Sequence, residues 1–268
     1  MKRSLIYANI GCKAGYEDFP SKACEELIRS EACDAFIFVE ASTRSPDFLK
    51  FFAWALDKGF RLFVSDEAYN QVIIGVKKDI VVNSVSGLGQ VSNQAFKGRG
   101  LRTNRVNSSE VVPPNYLKVS IDIEGRPLNL IGARIPSYPY CDKDKHVIQK
   151  SYNAAYCSFC QLVEALDRDI ADWTPTILLI DGNNARYLGK FTDDYDPQLY
   201  SQVAQRNYNF PILRSEVQKR GLVLFETKDD YSFGPSHDDH CFANIPCSTM
   251  FFNFEAFDHK AIRVIMCA

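Results

Sequence analysis

Several apolar runs in this sequence end on carboxylates, carboxamides or an arginine, the groups that bind hard metal ions, orient water and stabilise phosphoryl oxygens. The clearest is Ile177 to Ala185 (ILLIDGNNA), whose apolar half has the length and composition of a buried strand and stops abruptly on Asp181-Gly182-Asn183-Asn184. A strand ending this way holds a carboxylate and a carboxamide on rigid backbone at the rim of a core, with Gly182 permitting the turn between them. Asp-Gly after a strand also marks an ordinary turn, so the weight falls on what the other runs deliver. Ser4 to Asn9 carries Asn9 to its end, and Ala35 to Val39 ends on Glu40. Leu128 to Arg134 ends on a guanidinium that, near a buried edge, needs an anion or an acceptor. Three of the four histidines stand beside carboxylates, in Ser236-His237-Asp238-Asp239-His240 and in Asp258-His259, a pairing that orients an imidazole and raises its basicity.

Together these groups match the needs of phosphate-ester hydrolysis, which requires a cation for the developing charge, an activated water and a stabilised leaving oxygen. Glu40 and Asp258 are hard oxygen ligands of the kind that suits magnesium or manganese, unlike the thiol and imidazole sets favoured by zinc. Asp181 can orient or deprotonate water, and Asn183 can donate to a phosphoryl oxygen. His259 can donate to the same phosphate, with Asp239 holding and polarising it.

The elements that must position these groups follow in chain order. The first strand leads past Gly11 and Gly15 to a helix over Lys22 to Arg29, with Ser21 as N-cap, and then to the strand ending on Glu40. This strand-helix-strand unit presents Asn9 and Glu40 at one edge. Pro46 to Asp57 has an apolar face at helical spacing and covers a sheet, and strands over Phe60 to Val64 and Gln71 to Lys77 come next. From about Asn83 to Asn115 strand signals weaken, and Lys97, Arg99, Arg102 and Arg105 occur there without an acidic neighbour. Such a loop is either a cationic contact for an anionic substrate or a solvated segment with incidental charge. Tyr116 to Ile123 and Leu128 to Arg134 form an antiparallel pair, and Val147 to Ile170 is the longest helical pattern, leading into the strand that ends on Asp181. Thr192 to Pro211 reads as loop and Ile212 to Arg220 as helix. Leu222 to Phe225 is a strand or an extended edge, and Ala261 to Met266 is the terminal strand.

A length of 268 residues with 46% hydrophobic content supports one substantial core, and a single domain over residues 1–268 is expected. The net charge of -2 and a pI near 6.1 exclude a strongly basic nucleic-acid-binding module, but not a nuclease with a local basic rim. Nine cysteines without repeating spacing favour reduced, mostly buried thiols, and Cys157-x-x-Cys160 reads as helix packing. The N-terminal apolar run is too short for a signal peptide and no later run reaches the ~18 residues of a membrane span, so a cytoplasmic monomer without membrane insertion is expected.

The ordered series Tyr7-Ala8-Asn9, Phe38-Val39-Glu40, Gly132-Ala133-Arg134-Ile135-Pro136, Leu179-Ile180-Asp181-Gly182-Asn183, Ser236-His237-Asp238-Asp239-His240 and Phe257-Asp258-His259 resembles the endonuclease/exonuclease/phosphatase superfamily. The likeness covers nearly the whole length. It implies an α/β (α+β) fold, a four-layered α/β/β/α sandwich of the deoxyribonuclease I type with the active-site loops at one edge. It also implies Mg2+ or Mn2+ as cofactor, with no obligatory organic cofactor. On the matching positions Glu40 is the principal metal ligand, with Asn9 and Asp258 around the metal. Asp181 acts on the attacking water, Asn183 contacts the scissile phosphate, and Asp239 with His259 forms the supporting acid-histidine pair.

The sequence departs from the pattern at Arg134, where members of the family have histidine or tyrosine, and at Ser137, where abasic-site endonucleases tend to have asparagine and a substrate contact is expected. The usual Gly-Asp-Phe-Asn is here Ile180-Asp181-Gly182-Asn183, and Phe257 replaces the serine common before the last Asp-His. Arg134 cannot donate a proton, but its fixed charge could stabilise the transition state or leaving oxyanion, or it could be merely paired. The function expected is divalent-metal-dependent hydrolysis of a phosphodiester in DNA or RNA. The alternatives are a phosphoesterase acting on a small molecule or lipid head group, and a non-catalytic protein-binding scaffold of the same fold. The scaffold is disfavoured because crowded carboxylates repel one another without a metal.

Overall fold

The computed structural model describes residues 2–11, 18–67, 70–89, 112–136, 149–170, 173–183, 210–225, 232 and 238–267. Its first half runs β1 (Lys2–Asn9), α1 (Ser21–Glu31), β2 (Ala35–Ala41), α2 (Pro46–Asp57), β3 (Phe60–Val64), β4 (Gln71–Lys77) and β5 (Val81–Gly87). The remainder is β6 (Asn115–Ile123), β7 (Arg126–Arg134), α3 (Gln149–Asp169), β8 (Thr176–Asp181), α4 (Phe210–Gln218), β9 (Val223–Leu224), β10 (Asp239–Ala243), β11 (Cys247–Phe252) and β12 (Ala261–Cys267). The strands form two six-stranded sheets, ordered β11-β12-β1-β2-β4-β3 and β5-β6-β7-β8-β10-β9. Both are mixed: β1 pairs parallel with β2 and β7 with β8, whereas the other pairings are antiparallel.

Period-two alternation sorts the side chains into layers. Leu5 and Tyr7 of β1, Ile37 and Val39 of β2, Leu128 and Leu130 of β7, Ile177 and Leu179 of β8 and Cys241 of β10 meet in one core between the sheets. The alternate residues Ile6, Ala8, Phe36 and Phe38 pack outward with Leu27 of α1 and Phe51 of α2. Ile131, Ala133, Leu178, Ile180 and Phe242 pack outward on the other side with Leu162 and Leu166 of α3 and Leu213 of α4. The result is a four-layered α/β/β/α sandwich. Close approach of the sheets is visible at Gly132 on β7, where an added Cβ would lie 2.5 Å from Val72 Cγ1 and 2.7 Å from Ile37 Cγ2. Only glycine fits between those two strands of the opposite sheet.

The local signals that start the helices act unequally. Ser45 caps α2 by accepting from Asp47 N, with Pro46 in the first turn, as such sequences favour. Ser21, expected as the N-cap of α1, is instead its first helical residue and bonds Glu25, while Pro20 stands at the cap without a side-chain bond. Two strands were not expected from the sequence: β5, which runs into the stretch from about Asn83 where strand signals weaken, and β11. Each is an edge of its sheet, and neither holds a fully buried residue. Cys157 and Cys160 are buried free thiols in α3. Among the described residues no helix is long and apolar enough to cross a membrane.

Candidate active site

At one end of the inter-sheet core the inner-face positions change from apolar to polar. On β1 the series Leu5-Tyr7 is continued by Asn9, on β7 Leu130-Gly132 by Arg134, and on β8 Ile177-Leu179 by Asp181; β10 begins with Asp239 on the same face as Cys241. The registers bring these ends together: Arg134 lies opposite Asp181 across the parallel β7-β8 pair, and Asp181 opposite Asp239 across the antiparallel β8-β10 pair. Asn9, Arg134, Asp181 and Asp239 are all buried.

Glu40 reaches this group by a backbone irregularity. The β2-β4 register shifts between Phe38 and Ala41, and Glu40 adopts φ 57°, in the left-handed region that a non-glycine residue enters at a cost. Strict alternation would point residue 40 outward with Phe36 and Phe38. The bulge instead lets its carboxylate meet Arg134 of the opposite sheet, with Arg134 Nε 2.6 Å and Nη2 2.5 Å from Oε1. Gly11 makes the room: a Cβ there would sit 2.4 Å from Glu40 Cβ and 2.7 Å from its Oε2. Strain of this kind persists where the surroundings enforce it, which is common at functional sites.

Asp181 is the hub. Its Oδ2 accepts from Asn9 Nδ2 at 3.1 Å and from Asn183 Nδ2 at 2.9 Å, with Arg134 Nε 3.5 Å away, and its Oδ1 accepts from Asn183 N at 3.2 Å. Burial pushes the Asp181 carboxyl well above the usual carboxylate range; the neighbouring charges of Asp239 and Glu40 add to this, and Arg134 opposes it. Asn183 also donates to the Ile135 carbonyl at 2.8 Å. Its amide thus ties Asp181 to the residue that follows β7.

The acid-histidine pair is formed by Asp239 and His259, whose Nδ1 lies 2.5 Å from Asp239 Oδ2. The other oxygen of Asp239 accepts from the Tyr7 hydroxyl at 2.6 Å, a contact that sequence reasoning missed. The one signal for it was that Tyr7 and Asn9 share a face of β1. Burial works against the charge on Asp239, but His259 and the hydrogen bond from Tyr7 outweigh it and hold the carboxyl below its ordinary range. Burial, with Asp239 next, pushes the Tyr7 phenol well above its usual value, so it stays a donor. Ser232 was missed too: its hydroxyl accepts from the amides of Asp238 and Asp239, and its carbonyl accepts from Lys260 N, tying the start of β10 to the segment that carries His259.

The remaining residues expected at the site divide differently. Asp258 is exposed beside buried His259. His240 faces the outer layer, its ring centroid 4.7 Å from that of Phe210. Ser137, Lys97, Arg99, Arg102 and Arg105, together with His237, lie outside the described residues.

Among the described residues no group of three or more His, Cys, Asp or Glu side chains is placed to hold a metal ion. The oxygens of Glu40 and Asn9 are nevertheless hard donors of the kind Mg2+ prefers, and Asp181, Asp239 and Glu40 crowd negative charge that a cation would relieve. Glu40 and Asn9 are therefore the described residues that would hold a divalent ion here, although Arg134 already meets Glu40 and the Asn9 Oδ1 already accepts from Gly11 N.

No protein-family model and no curated protein matches the sequence. Solved structures do. TDP2 of D. rerio, humanized by 14 mutations, superposes with a TM-score of 0.59 at 12% identity over 100% of this chain and 99% of its own. An endonuclease/exonuclease/phosphatase from Beutenbergia cavernae gives 0.63 at 12% identity over 99% and 71%, respectively. The catalytic domain of human Nocturnin, solved with a bound sulfate, gives 0.58 at 12% over 99% and 93%. With 99–100% of this chain covered in each case, the chain has the fold of the endonuclease/exonuclease/phosphatase superfamily.

Proposed function

We propose that this protein is a divalent-metal-dependent phosphodiesterase acting on DNA or RNA. The observation that carries the reading is the hydrogen-bonded group at one end of the inter-sheet core, in which Asp181 is held by Asn9 and Asn183 while Asp239 holds His259. Comparable folds include a D. rerio TDP2 complexed with single-strand DNA product and the endonuclease domain of TRAS1, at 10% and 12% identity. In this reading Glu40, Asn9 and Asp258 would hold Mg2+ or Mn2+, which would supply Lewis-acid stabilisation of the phosphoryl charge. Asp181, whose carboxyl burial raises above the usual carboxylate range and so makes a stronger base in its ionised form, orients the attacking water and takes its proton. His259, its Nδ1 side fixed by Asp239, presents Nε2 to a phosphoryl oxygen. Lys97, Arg99, Arg102 and Arg105, with Ser137, are the groups proposed to meet the substrate backbone.

The net charge of -2 favours a second reading, a phosphoesterase of small molecules or lipid head groups, which needs no extended cationic surface. The test is hydrolysis of DNA, RNA, abasic DNA, phosphoinositides and sphingomyelin with Mg2+ or Mn2+, by the native protein and by Glu40→Gln. We expect turnover of a nucleic acid, with a loss of about two orders of magnitude or more in the variant. Turnover confined to the small or lipid substrates would transfer the assignment to the second reading. Undiminished activity in Glu40→Gln would remove Glu40 from metal binding.

A further inference from the structure

We infer that Arg134 is an internal cation that competes with the divalent ion for Glu40 and so keeps the metal affinity of the site low. The inference rests on the metal-dependent reading above and adds to it a residue that sets how much metal the site holds.

The geometry is specific. Two guanidinium nitrogens, Nε at 2.6 Å and Nη2 at 2.5 Å, converge on Oε1 of Glu40, and Nε lies 3.5 Å from Oδ2 of Asp181. Arg134 thus bridges two of the carboxylates beside which a divalent cation would lie, and it does so from a side chain that is itself buried. A guanidinium does not lose its proton in proteins, so this competition is permanent. A second cation drawn to the same carboxylates meets repulsion from the first, in surroundings where water screens little. The backbone work invested in the contact points the same way. Glu40 needs a bulge, a left-handed φ and the space above Gly11 to reach the other sheet.

The test is direct binding of Mn2+, by calorimetry and by loss of the free-ion electron paramagnetic resonance signal, to the native protein, Arg134→Gln and Arg134→Lys. Glutamine keeps a hydrogen-bond donor to Glu40 and removes the charge, whereas lysine keeps the charge without the fork. We expect Arg134→Gln to bind Mn2+ about tenfold more tightly or better, and Arg134→Lys to stay near the native affinity. In the native protein, Mg2+ should shift the Nε–H resonance of Arg134, a readout that holds even if Arg134→Gln does not fold. Equal or weaker binding by folded Arg134→Gln, or a resonance indifferent to bound Mg2+, overturns the inference and leaves the metal-dependent reading standing. Failure of the native protein and both variants to bind Mn2+ overturns that reading, and the inference with it.

Discussion

Tyr7→Phe removes one oxygen from the centre of the protein and leaves its shape unchanged. The hydroxyl is fully buried and donates at 2.6 Å to Oδ1 of Asp239, whose other oxygen is 2.5 Å from His259 Nδ1. A hydrogen bond to a charged acceptor contributes about 1.5–3 kcal/mol, and here its loss strands a carboxylate oxygen that water does not reach. Unfolding entropy near 2.1 cal/mol/K per residue gives roughly 0.56 kcal/mol/K for a chain of 268 residues, so the variant should melt about 3–5 °C lower. Function should suffer through His259. With Asp239 held on one side fewer, the imidazole loses orientation, and in the proposed reaction kcat should fall by about tenfold at nearly constant KM. A phenol buried between the sheets has no contact with substrate through which to alter KM.

Tyr116→Phe supplies the control. Its hydroxyl donates at 2.8 Å to Asp169, a carboxylate paired with Lys118 and Arg168, and its ring packs in the layer under α3. That variant should lose comparable stability and keep its kcat. A melting temperature for Tyr7→Phe within about 1 °C of native would refute the energetic value given to the bond. Equal kcat in the two tyrosine variants would refute the positioning role even if both were destabilised.

Two further outcomes are expected. Gly11→Ala places a Cβ 2.4 Å from Glu40 Cβ and 2.9 Å from its carbonyl oxygen, so Glu40 must move; steady-state kinetics should show at least about a tenfold loss, and thermal melting a cost of about 1–3 kcal/mol. Burial pushes the Cys33 thiol from 9.0 up to about 12, so the folded state binds its proton more tightly than the unfolded chain does. The associated stability is complete below pH 9 and is lost as pH rises toward 12, amounting to about 3 kcal/mol by pH 11. Urea unfolding at pH 8 and pH 11 should therefore show Cys33→Ala losing about 3 kcal/mol less than native over that interval.

What the sequence made legible follows from burial. β2, β4, β7 and β8 are covered on both faces and read as apolar runs, and α2 shows its stripe because one side alone meets a sheet. β5 and β11 left no such trace. As sheet edges they are held by backbone bonds to β6 and β12, and Val85 and Met250 remain exposed, so side-chain pattern carries little of the information that places them. The turn of α1 shows a different limit, since a serine one position away from the cap has the same local appearance as a serine at it.

For the site, strand ends could be recognised one at a time, but their partners could not. An arginine at the end of β7 demands an anion, and nothing local says that the anion is Glu40, 94 residues away on the other sheet. That pairing depends on a bulge whose φ of 57° is imposed by tertiary contacts and contradicts the preference of glutamate itself. Tyr7 and Asp239 stand 232 residues apart, and a tyrosine inside an apolar strand reads as core, which it is, until the opposing strand supplies a carboxylate. The alternation that builds the core also builds the site: Asn9, Arg134 and Asp181 each follow, two residues on, an inner-face position of the sandwich, so the sheets that expel water from Leu5 and Leu179 also desolvate Asp181. Burial therefore sets two properties at once, the stability of the sandwich and the protonation of the carboxylate at its end. A substitution that loosens the inner layer near Gly132 would relax both.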